Sequence, residues 1–162
     1  MLRCPPTRFA QVILAMMIAA CEVLGHSFVT SLQIQSEEQP VYTNYKGVQI
    51  GMRVDDVRKK LGEPSDKSNS QDYYEFSPDE TAQINYDPSG LLTAISVTYF
   101  KASDAPTAKK ILGVDVEPQY NGNVYRMIKY PKAGYWVSYS RTEGDPPVVT
   151  VTMTKLDPNK PS

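Results

Sequence analysis

Few residues in this chain could do chemistry, and their spacing settles most questions about them. His26 is the sole histidine. It sits in an apolar N-terminal stretch, so a Ser-His-Asp or Cys-His site would have its base outside any folded pocket. Asp55 and Asp56 are adjacent; on a helix such neighbours point about 100° apart, a poor start for two carboxylates sharing one substrate. Gly51 and Gly62 bracket a charged segment without a following GKS or GKT, so they do not form a phosphate loop. The acidic turns at Asp87 and Glu143 lack the alternating carboxylates of a calcium loop. Both cysteines, Cys4 and Cys21, lie near the N-terminus, which leaves the rest of the chain without a disulfide, a redox pair or a cysteine-based zinc site. The expectation is a non-enzymatic protein with no catalytic residue, metal or cofactor.

Binding chemistry is better represented. Arg58, Lys59 and Lys60 are consecutive and are candidates for anionic lipid head groups, against the default of a solvated helix end. Aromatic residues comprise eleven Tyr, four Phe and one Trp. The alternation that would bury Tyr74, Tyr86, Val137 and Tyr139 turns Trp136 to the other face, together with Tyr73 and Leu92. Trp136, Tyr73 and Leu92 are therefore a candidate partner-binding patch; the competing reading buries Trp136 between two packed units. Net charge is −1, and without Arg3 and Arg8 the 17 basic residues become 15 against 18 acidic. Nucleic acid is not expected as a partner on that balance.

The elements that position these groups follow from periodicity. Val54, Val57 and Leu61 mark one face of a short helix with Asp55 and Asp56 in its first turn and the basic run in its last, as the helix dipole prefers. Gly62 and Pro64 end it. Strands are expected at Asp72–Phe76, Ala82–Asp87 and Leu91–Tyr99, separated by the turn signals "SPDE" and "PSG". "APTAKKILG" suggests a second helix, and offsets of 51 to 56 residues relate Leu61-Gly62 to Leu112-Gly113, Tyr74 to Tyr125, Tyr86 to Tyr139 and Val97 to Met153.

At the N-terminus, Arg3 and Arg8 precede an apolar run, and Ile18-Ala19-Ala20-Cys21 resembles a bacterial lipobox. Lipid attachment at Cys21, an uncleaved signal anchor, and secretion after cleavage at Gly25 are the open readings.

Ile50, Gly51, Met52, Val57, Leu61, Gly62 and Pro64, followed by Tyr86, Asp87 and Gly90, resemble the helix and hairpin signatures of the SmpA/OmlA (BamE-like) family of small outer-membrane lipoproteins. Arg53 departs from it, standing where such proteins commonly have Thr or Ser to cap the helix. A tandem copy of the unit is similar to the architecture of β-lactamase-inhibitor proteins. The resemblance implies an α+β fold of two tandem units, each a short helix plus a three-stranded antiparallel sheet. The expected organisation is signal with lipobox at 1–21, tether at 22–45, first unit at 46–100, second and degenerate unit at 101–156, and tail at 157–162. It also implies an envelope lipoprotein on the periplasmic side of the outer membrane, binding or scaffolding protein partners in outer-membrane protein assembly; the tandem architecture implies, as the alternative, an inhibitor-like domain that binds and blocks a secreted or periplasmic enzyme.

Overall fold

The computed structural model describes residues 39–157. Cys21, His26 and the 1–21 segment lie outside the described residues. The elements are helix α1 (Val54–Leu61), strands β1 (Asp66–Lys67), β2 (Gln71–Ser77), β3 (Glu80–Tyr86) and β4 (Leu92–Tyr99), helix α2 (Ala108–Leu112), and strands β5 (Val124–Tyr130), β6 (Tyr135–Arg141) and β7 (Val149–Lys155).

All seven strands form one antiparallel sheet in the order β1-β2-β3-β4-β7-β6-β5. Alternation gives the central strands a buried face: Ala82, Ile84 and Tyr86 on β3, Ile95 and Val97 on β4, Val149, Val151 and Met153 on β7, Val137 and Tyr139 on β6. Cross-strand register brings them together, with Ala82 opposite Val97, Ile84 opposite Ile95, Ile95 opposite Met153 and Val137 opposite Met153. Val57 of α1 and Ile111 and Leu112 of α2 join the same core. Each such aliphatic side chain, fully removed from water, contributes roughly 1.5–3 kcal/mol. Tyr45, in the stretch read as tether, is also a core residue.

The expectation of two tandem helix-plus-sheet units is not met. β4 and β7 pair over six residues, from Ala94↔Thr154 to Tyr99↔Val149, so the described residues build a single sheet and carry two short helices, of 8 and 5 residues. The inferred repeat also breaks at Tyr74 and Tyr125: the first is 2% exposed in the core and the second 54% exposed on the opposite face. Periodicity reports which face a residue occupies, whereas the choice of neighbouring strand is made by backbone edges, which carry no side-chain period.

α1 starts without a side-chain cap, because Arg53 at the N-cap makes none. Instead the Val54 N–H donates to Gly90 O at 3.0 Å, and Arg53 forms a bridge with Leu91. The hairpin turn between β3 and β4 thus satisfies the first amide of the helix. At the other end Gly62 leaves the helix at φ 88°, ψ −168°, a region open essentially to glycine alone.

Two core tyrosines hold their hydroxyls on carboxylates: Tyr45 donates to Glu80 Oε1 at 2.8 Å, and Tyr86 donates to Asp72 Oδ2 at 2.8 Å; the buried Tyr74 hydroxyl has no hydrogen-bond partner among the described residues. Burial, reinforced by nearby carboxylate charge, pushes the Tyr74 and Tyr99 hydroxyls up to about 12. It shifts Tyr42, Tyr45 and Tyr86 upward too. An unfolded tyrosine ionises near pH 10. Between that pH and about 12 the unfolded chain has released protons the fold retains, so rising pH favours unfolding. The tyrosines' contribution to stability is therefore expected to be fully present below about pH 10 and to fall progressively above it. Urea midpoints measured across the alkaline range, with phenolate absorbance followed alongside, check this; a midpoint unchanged while half the tyrosines ionise would contradict it.

Candidate binding face

The second face of the sheet has no layer over it among the described residues. Its side chains are set by the same alternation that builds the core. In sheet order, one row runs Tyr73, Gln83, Ser96, Thr152, Ser138, Met127; the next runs Gln71, Asn85, Ala94, Thr154, Trp136, Lys129; a third runs Glu75, Thr81, Thr98, Thr150, Ser140, Tyr125.

The floor is thus made of small hydroxyl and amide side chains. Ser96 and Thr152 share a hydrogen bond of 3.2 Å across the β4–β7 seam, and Gln83 Nε2 donates to Gln71 Oε1 at 3.1 Å and to Asn85 Oδ1 at 3.4 Å. In the three rows only Glu75 and Lys129 are charged, at opposite corners of the face. Large side chains stand at its two sides: Tyr73 on β2, and Trp136 with Tyr125 and Met127 on β6 and β5. Tyr125 and Met127 are 54% and 41% exposed. An exposed Tyr–Met pair beside a partly exposed Trp is the composition of a contact surface.

The structure divides the expected patch of Trp136, Tyr73 and Leu92. Trp136 and Tyr73 do share the open face and are each partly exposed, but they stand four strands apart, on the order of 19 Å at the usual strand spacing. They bound the floor from two sides instead of touching. Leu92 is not on this face at all; it is 0% exposed in the core. The cause is local. Register passes from Asn85↔Ala94 to Tyr86↔Leu92, so Thr93 is an extra residue, and a one-residue bulge reverses the facing of everything before it. Nothing in the alternation of "LLTAISVTY" announces that bulge.

The basic run is divided as well. Arg58 does not face solvent as part of a three-cation cluster: its Nε and Nη2 donate to the two carboxylate oxygens of Asp72 at 2.9 and 2.7 Å. Lys59 and Lys60 remain exposed. The charge of Asp72 holds the Arg58 guanidinium pKa above its usual value through that hydrogen-bonded pair. Asp72 is itself fully buried, taking a third bond from Tyr86. Its position was readable: Asp72 is in phase with Tyr74 and Phe76, so alternation placed a carboxylate on the buried face, where it requires a partner.

Among the described residues, no cluster of three or more His, Cys, Asp or Glu side chains could hold a metal ion, and no helix is long and apolar enough to cross a membrane. No family model matches the chain, and no curated protein or solved structure matches it significantly.

Proposed function

We propose that this chain is a non-enzymatic binding or scaffold module of the cell envelope, holding a protein partner on the uncovered sheet face. One observation carries the reading: Trp136, Tyr125 and Met127 project together from the β5–β6 side of a face that no other element covers among the described residues. Large apolar groups held on rigid strands lose little conformational freedom on contact, and burying them against a partner releases bound water. The nearly uncharged hydroxyl floor beside them can exchange hydrogen bonds with a partner without the desolvation cost of an ion.

The envelope setting is supported by the resemblance of Ile50–Tyr99 to the SmpA/OmlA family and by the lipobox-like Ile18–Cys21, with Cys21 as the lipid-bearing residue. A diacylglycerol thioether there would tether the sheet near a membrane, each buried methylene adding roughly 0.8 kcal/mol.

Substituting Trp136 by alanine tests the reading. The variant is expected to keep the thermal midpoint within a few degrees while recovering envelope partners from solubilised membranes at least about tenfold less well, a loss of roughly 1.4 kcal/mol or more. Recovery of barrel-assembly proteins supports a scaffold, and recovery of a single hydrolase supports an inhibitor. Unfolding of the Trp136→Ala protein would make Trp136 a packing residue and end the proposal.

A further inference from the structure

The two edges of the sheet are built differently. On one side the outermost strand is β1, two residues long, and the adjoining chain covers β2 where the Glu75 N–H donates to Ser65 Oγ at 3.1 Å. On the other side β5 runs seven residues, without proline or glycine, and among the described residues β6 is its one neighbour. Alternate residues of such a strand direct N–H and C=O away from the sheet, about three or four positions on a strand of this length.

The charge on this edge is one-sided. β5 carries Arg126 and Lys129 and no carboxylate, and its cross-strand partners for those residues are Tyr139 and Trp136. Neither cation forms an ion pair among the described residues, whereas Arg58, Lys46, Lys67, Lys101 and Lys109 each hold a carboxylate. Tyr125 and Met127 lie between and beside them on the open face, exposed.

We propose that β5 accepts an extended acidic segment of a protein partner by strand addition. This rests on the reading of the chain as a protein-binding module and names its mode and the chemistry of its partner. The incoming backbone satisfies the outward amides and carbonyls of β5. Its apolar side chains cover Tyr125 and Met127, and its carboxylates meet Arg126 on the other side of the strand and Lys129 at the far end. The same cations disfavour a second copy of this chain, because pairing β5 with β5 would bring four positive charges onto adjacent strands with no acid between them.

The test uses the full chain and two blocked nonapeptides, Val-Glu-Val-Glu-Val-Glu-Val-Glu-Glu and its counterpart with Lys for every Glu, whose last residue carries charge on the valine face, the face on which Lys129 lies. With the Glu peptide, the outward amides of Val124–Tyr130 are expected to exchange at least about tenfold more slowly, with binding weakened by salt. The Lys peptide is expected to have no effect, and an Arg126→Glu/Lys129→Glu variant is expected to exchange these preferences. Both residues are exposed, and an unchanged thermal midpoint of the variant confirms that its fold is intact. Equal protection by both peptides, binding without protection of β5, or protection that rises with protein concentration alone overturns the proposal. If the reversed variant still recovers partners in a Trp136-dependent manner, strand addition fails while face binding stands. If Trp136→Ala and wild type recover the same proteins, face binding is the reading that fails.

Discussion

Replacement of Asp72 by alanine is expected to lower the unfolding free energy by about 3 kcal/mol. Asp72 is 0% exposed and accepts three hydrogen bonds, two from Arg58 and one from Tyr86. Its removal leaves a guanidinium and a hydroxyl facing a void. Loss of one partner from a buried pair costs roughly 3–5 kcal/mol. The lower end applies because the Arg58 side chain is 27% exposed and can recover some hydration. The three residues come from α1, β2 and β3, so the carboxylate ties the helix to two strands at once. Asp72→Asn keeps the shape but cannot accept bidentate charge-assisted bonds, and should fall between wild type and alanine. A double variant with Arg58→Met should be more stable than Asp72→Ala alone, since no cation is then left unpaired. Urea denaturation of the three variants measures this; a loss below about 1 kcal/mol for Asp72→Ala would show that the pair behaves as a surface ion pair.

Leu92→Ala is expected to cost about 2–5 kcal/mol, while Trp136→Ala on the open face should cost under about 1 kcal/mol. Leu92 is fully buried, and its backbone is clamped on both sides: Gly51 N–H donates to Leu92 O and Leu92 N–H donates to Met52 O, each at 2.8 Å. The surrounding chain therefore cannot easily collapse into the space that truncation opens, which places the cost away from the bottom of the range. Denaturant midpoints at unchanged slope report the two losses directly. Similar costs for both substitutions would mean that Leu92 and Trp136 share an environment, contrary to the bulge at Thr93.

Helix α1 was legible because a period of three to four apolar positions, first-turn acids and a terminal glycine agree over Val54–Gly62. Strands β2, β3 and β4 were legible from alternation and turn residues. Tyr73 and Trp136 could be assigned to a common face by the same counting, but their separation could not, because it depends on the strand order between them. Leu92 was misread where the bulge changed phase, and Arg58 was read with its sequence neighbours although its partner lies 14 residues away.

Sequence alone determined which residues alternate, where helices and turns punctuate the chain, and that histidine and cysteine are confined to the N-terminal segment. These are local properties, fixed by side-chain type and backbone sterics within a few residues. Tertiary structure alone decided that β4 joins β7 into one sheet, that Asp72 captures Arg58, and that β5 is left as a cationic edge beside Trp136. Each depends on backbone hydrogen bonding or charge pairing between distant segments, whose free energy appears only after the chain has closed the intervening loops.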